Sequence, residues 1–171
     1  MSKLSGIFEI LKVKPTVFFD ILEDERRYRI FKINKKGGGQ RELLAPRQEL
    51  CFLQKKFLNK LVMAYQPTRA AHGFTIGKSI LTNANLHVSK HWVLNVDIKN
   101  FFPSISDRRV YGALYNWSQF RKQWDLTKKE IYFLAQLCCF EQKLPQGAPT
   151  SPFLSNLVAR KLDKQMLEFS Y

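Results

Sequence analysis

The chain has 171 residues, of which 45% are hydrophobic and 13% aromatic, a composition that builds a core and excludes an intrinsically disordered protein. A total of 28 Lys and Arg against 14 Asp and Glu leaves a formal net charge of +14, the electrostatic footprint of a polyanion binder, with a solvated basic surface as the plainer alternative. Three cysteines, Cys51 and the adjacent Cys138 and Cys139, exclude a disulfide framework and match no zinc-ligand spacing. They are expected to be buried or half-buried thiols in a reducing cytoplasm. Met1–Lys12 holds no long apolar run and no stretch approaches a membrane span, so the expectation is a cytoplasmic protein without a signal peptide.

In chain order, Ile7, Phe8, Ile10 and Leu11, then Val17, Phe18, Ile21 and Leu22 beyond Lys14-Pro15, read as two short helices within residues 1–25. Alternation over Tyr28–Ile33, the turn Asn34-Lys35-Lys36-Gly37-Gly38-Gly39 and a second run at Gln40–Ala45 predict a β-hairpin. Pro46 opens a long helix whose buried face carries Leu50, Leu53, Phe57 and Leu61 and whose other face carries Lys55, Lys56 and Lys60, with Pro67 ending it. Residues 68–77 read as a loop and Ser79–Lys90 as a helix. Trp92–Ile98 reads as a strand, Asp107–Trp117 and Thr127–Phe140 as helices, residues 141–150 as a Pro/Gly loop, and Ser151–Phe169 as a final helix. Strands and helices intermix, so the fold class is α+β.

Two segments could carry chemistry. Val93–Phe102 places a lone acid, Asp97, at the end of an apolar strand, with Phe101 and Phe102 behind it. Two-metal phosphoryl transfer needs hard oxygen ligands, which the Asp97 carboxylate and the Ile98 carbonyl could provide, while a phenylalanine could floor a sugar pocket. On chemistry alone the plainer reading is favoured, with Asp97 a strand-ending turn residue and both phenylalanines core. Leu144-Pro145-Gln146-Gly147-Ala148-Pro149-Thr150-Ser151-Pro152 has a glycine that lets backbone approach a ligand, then a helix start with Ser151 as N-cap and Pro152 in the first turn. Gln146 beside that turn could meet a base, sugar or phosphate, or the segment could be an ordinary loop-to-helix junction. His72 and His87 have no Cys or His partner at ligand spacing.

Asp97-Ile98-Lys99-Asn100-Phe101-Phe102 resembles the D-I-x-x-F-F palm motif of bacterial reverse transcriptases, and Leu144–Pro152 resembles their L-P-Q-G-x-x-x-S-P motif, continued by Leu154-Ser155-Asn156-Leu157 and Leu162-Asp163. Ala71-His72-Gly73-Phe74 with Gly77, Ser79 and Ile80 resembles the fingers motif of retron and group II intron enzymes. Asn83-Ala84-Asn85-Leu86-His87 resembles the N-A-x-x-H element of retron enzymes. The resemblance covers roughly residues 26–165.

It implies a right-hand fold with a helical extension at 1–25, fingers at 26–90 and a partial palm at 91–171, the thumb being absent. It implies RNA-directed DNA synthesis from a structured non-coding RNA template and primer, with dNTPs as substrates, two Mg²⁺ ions in the complete enzyme, and a possible retron effector protein. Asp97 and the Ile98 carbonyl would hold metal, and Phe101 or Phe102 would gate the sugar. Gln146 and Gly147 would position the nucleotide, and Lys35 and Arg41, with Lys36 able to share the role, would hold its phosphates. Lys55, Lys56, Asn83 and His87 would meet RNA. The family's Tyr-x-Asp-Asp hairpin has no counterpart, because the six aspartates (Asp20, Asp24, Asp97, Asp107, Asp125, Asp163) include no adjacent pair. The 171 residues alone are therefore expected not to polymerise, as a fragment, a truncated gene product or half of a split enzyme. A non-catalytic basic RNA-binding module and a group II intron maturase are the alternatives.

Overall fold

The computed structural model describes residues 4–35 and 37–169, so Lys36 and Tyr171 lie outside the described residues. Helices α1 (Ser5–Leu11) and α2 (Pro15–Glu23) lead into an antiparallel hairpin of β1 (Tyr28–Asn34) and β2 (Gln40–Pro46). The long α3 (Gln48–Ala64) follows, then the short α4 (Ile80–Ala84) with a single 3₁₀ turn at Asn85–His87. The rest is helical: α5 (Phe101–Ser104), α6 (Asp107–Asn116), α7 (Ser118–Gln123), α8 (Lys128–Cys138) and α9 (Ser151–Phe169).

One hydrophobic core joins α1, α2 and α3 to α6, α7, α8 and α9. Its centre is aromatic: Phe18 meets Phe8, Phe19 and Phe133 edge-on, and Phe57 lies against Phe120. Polar groups inside it are tied. Glu130 closes the capping box of α8 by accepting from the Thr127 N–H at 2.9 Å, and its other oxygen accepts from the Ile7 N–H at 3.2 Å, so one carboxylate fastens the starts of α8 and α1. The buried Gln54 amide donates to the Tyr28 hydroxyl and the Leu137 carbonyl, both at 2.8 Å, linking β1, α3 and α8. The Lys56 ammonium donates to the Leu11 carbonyl at 3.0 Å and so caps the end of α1.

Several expectations are corrected. Trp92–Ile98 forms no strand: Trp92, Val93, Leu94 and Val96 stand exposed, because the hairpin is the only sheet among the described residues and an isolated strand leaves its backbone groups unpaired. The helix expected over Ser79–Lys90 shortens to α4 and the 3₁₀ turn, with the Ser79–Thr82 capping box starting it and no core beneath to extend it. Helix α3 ends at Ala64 rather than at Pro67: Tyr65 is already extended, and Gln66, the residue before the proline, disfavours the helical region. Ser151 is the first helical residue rather than the N-cap, and its buried hydroxyl has no hydrogen-bond partner among the described residues. Helices α5 and α7 fall in stretches without enough turns to give a period.

Candidate functional site

The loop of the second motif is tied through the backbone to the residues that follow the first. Beyond α8, Phe140 and Lys143 pair in both directions at 2.9 Å around Glu141 and Gln142, whose positive φ values (47° and 60°) make a tight turn. The Asp107 N–H then donates to the Gln142 carbonyl at 3.0 Å, and the Leu144 N–H to the Ile105 carbonyl at 2.9 Å. These bonds join the loop before α9 to the stretch just after Phe101 and Phe102. The two phenylalanines are half-buried, packed on the core with ring centroids 5.8 Å apart.

The hairpin closes on the same loop. The outer edge of β2 donates from the Leu44 N–H to the Gln146 carbonyl at 2.9 Å. Gly147 has φ +127°, and a Cβ there would lie 3.0 Å from the Leu44 carbonyl oxygen. A side chain at 147 would be strained and crowded at once, so the glycine is what lets the loop lie on the strand. The register sets Arg41 opposite Ile33 and Lys32 opposite Glu42. At about 3.4 Å per residue, Arg41 lies about 10 Å along β2 from the Leu44 contact. Lys35 begins the tip, its N–H donating to the Gly39 carbonyl at 3.0 Å, and Gly38 and Gly39 take the positive φ (90° and 78°) that turn requires. Lys35 and Arg41 are exposed and form no ion pair among the described residues.

The remaining site residues are more scattered. Asp97 and Ile98 are exposed on the irregular stretch ahead of α5, and Asn100, at φ +53°, turns the chain into that helix. Lys55 is exposed on α3, whereas the Lys56 ammonium is engaged at the end of α1 and lies 4.4 Å over the Phe52 ring. Asn83 and His87 are exposed. His72 is buried, its Nδ1 hydrogen-bonded to the Thr82 hydroxyl at 2.9 Å, so it fixes the 71–82 turn. Asn156 on α9 donates to the Gly73 carbonyl at 2.8 Å and anchors that turn to the helix following the motif loop.

Leu44, Ile105 and Asn156 were not predicted as parts of this arrangement. The first two act through backbone groups, which leave no mark in the sequence. Asn156 did carry a signal: with Ser155 it interrupts the apolar run from Phe153 to Val158.

No family model matches the chain. Three relatives are retron reverse transcriptases: the Ec86 enzyme of Escherichia coli (35% identical, over 80% of this chain), the Mx162 enzyme of Myxococcus xanthus (33%, over 97%) and the Mx65 enzyme of the same organism (36%, over 84%). The chain spans 41%, 36% and 36% of their respective lengths. A mixed helix-and-strand chain that carries these motifs and has these relatives falls within the reverse-transcriptase class. The chain belongs to the retron-type reverse transcriptases.

Proposed function

We propose that the chain forms the fingers and the first part of the palm of an RNA-directed DNA polymerase that copies a structured non-coding RNA into DNA. The observation that carries this reading is the junction at Leu44. It ties the cationic hairpin to the loop holding Gln146 and Gly147, so cations for a triphosphate and a loop for a nucleotide belong to one hydrogen-bonded unit. In this reading Lys35 and Arg41 neutralise the phosphates and the hairpin tip excludes water. Gln146 and the Gly147 backbone orient base and sugar, and Phe102, with Phe101 behind it, forms the floor against which a 2′-hydroxyl would clash. Lys55, Asn83 and His87 stand exposed for RNA, and Lys56 would have to leave the Leu11 carbonyl to join them.

Magnesium fits these residues only in part. Asp97 and the Ile98 carbonyl are hard oxygen donors of the right kind, but among the described residues no group of three His, Cys, Asp or Glu gathers anywhere. Asp97 is assigned as one ligand of a site that needs further carboxylates. When bound, the ions supply charge neutralisation and activation of the attacking oxygen. The proposal extends to a cytoplasmic setting, a retron effector as partner, and the absence of polymerisation by residues 1–171 alone. Among the described residues no helix is long and apolar enough to cross a membrane.

The test is template-dependent dNTP incorporation with Mg²⁺ by the 171-residue chain and by the chain with any sequence the gene encodes beyond Tyr171. The second should be active, and Asp97→Ala in it should reduce incorporation to background. RNA binding without incorporation by either chain would favour the non-catalytic RNA-binding module.

A further inference from the structure

Helices α6 and α8 pack along each other with a groove between them of about 310 Å³, to whose lining neither the hairpin nor Leu144–Gly147 contributes. The helices are antiparallel: Gln136 near the end of α8 donates to the Asp107 carboxylate at the start of α6 at 3.0 Å, while Lys128 at the start of α8 lies 5.9 Å over the ring of Tyr115 near the end of α6. The groove walls carry Tyr111 from α6 and Tyr132 from α8. Tyr111 stacks on Tyr115 with ring centroids 5.8 Å apart and planes 11° from parallel, and Tyr132 is 50% exposed. Arg108, Lys128 and Lys129 line the rim. The single lining carboxylate, Asp107, is occupied by the Gln136 amide and the Arg108 N–H. None of the three rim cations has an ion-pair partner among the described residues.

A solvated cationic face would explain the lysines but not the exposed Tyr132 ring and the half-buried Tyr111 ring set between them. Aromatic faces interleaved with cations that no carboxylate neutralises suit single-stranded nucleic acid, the rings taking bases and the cations the backbone. From Arg108 to Tyr115 α6 rises about 10 Å, the length of about three bases at the ~3.4 Å spacing of a strand. The volume is at the lower end of the ~300–1,000 Å³ of ligand sites, too small for a folded partner. We infer that the α6–α8 groove is a track for a short unpaired RNA stretch, outside the nucleotide site and independent of it. Tyr111 and Tyr132 stack bases, and Arg108, Lys128 and Lys129 hold phosphates.

The experiment is fluorescence anisotropy with a labelled oligouridylate, using the 171-residue chain fused to a soluble carrier and titrated at several salt concentrations. Tyr111→Ala with Tyr132→Ala should weaken binding about tenfold or more, since one base on one ring accounts for at least several-fold. Tyr111→Phe with Tyr132→Phe should restore it, because the ring stacks without its hydroxyl. Lys128→Gln with Lys129→Gln should make the logarithmic salt dependence shallower by about 1.4, at ~0.7 for each single-strand phosphate that is no longer neutralised. Circular dichroism establishes that the variants keep their helices. Affinity within twofold of the parent for the double alanine variant overturns the inference. So does equal competition by a perfectly paired RNA hairpin, or tighter binding of oligodeoxythymidylate. Loss of dNTP incorporation in the longer chain bears only on the polymerase proposal, because this readout involves no synthesis.

Discussion

Leu144–Gly147 and Val93–Ile98 are both short and largely apolar, and both carry a family motif, yet one is built in and the other stands free. Leu144 is fully buried, and its segment bonds to Ile105 on one side and to β2 on the other. Leu94 is 76% exposed, and its segment has no ladder partner among the described residues. The difference is one of partners rather than hydrophobicity. A loop can be satisfied by two or three borrowed backbone bonds, whereas a strand needs a neighbour along its whole length. Gln146 and Gly147 are therefore held in place by their neighbours among the described residues, and Asp97 is not.

The largest expected effect sets the two segments directly against each other. Leu144→Ala empties a filled core position and should cost about 2–5 kcal/mol, read as a lower urea midpoint. Leu94→Ala should change stability by less than about 0.5 kcal/mol, the ordinary range for a surface position. Similar losses from both would mean that Leu94 is covered, and the contrast between the segments would fail.

A smaller effect sharpens the comparison at the junction itself. Gly147→Ala puts a Cβ at the Leu44 carbonyl and forces a positive φ on alanine, which should cost about 1–3 kcal/mol. Hydrogen exchange adds a local readout: the Leu44 amide should lose protection in the variant while amides in α3 keep theirs. An unchanged Leu44 amide would show that loop and strand are held together by something other than the Leu44–Gln146 bond.

Much of this was legible in the sequence, for identifiable reasons. The hairpin, α3 and α9 declare themselves through period, turn glycines and prolines, and the bounds of α9 match the sequence reading at both ends. The motif residues were legible through family pattern, which marks Gln146 and Asp97 alike and says nothing about which is anchored. What escaped depends on distant partners. Trp92–Ile98 has the composition of a strand, but composition cannot supply a neighbouring strand. The placing of Lys56 under α1 could not be inferred from a helix face on which Lys55, Lys56 and Lys60 look alike.

The smallest effect at neutral pH concerns the helix end on which the anchored loop hangs. Cys138 closes α8 two residues before Phe140 starts the turn, and burial pushes its thiol from the ordinary 9.0 up to about 12. Cys139 is raised as well, by burial first and then by the neighbouring Cys138 and Asp107. At pH 7 both thiols are neutral whether the chain is folded or not, so they contribute no pH dependence there. Above about pH 9 the unfolded chain releases these protons while the folded chain keeps them, so stability should fall as pH rises towards 12. Tyr28, raised mainly by burial, acts in the same direction, so the quantity to read is the difference between the parent and Cys138→Ala. That variant should lose some stability at every pH through the small cavity, yet decline less steeply above pH 9. A parallel decline would mean that the Cys138 thiol ionises in the folded chain as readily as in the unfolded one. The end of α8 would then be open to water, and the loop that carries Gln146 would be no better anchored than the segment that carries Asp97.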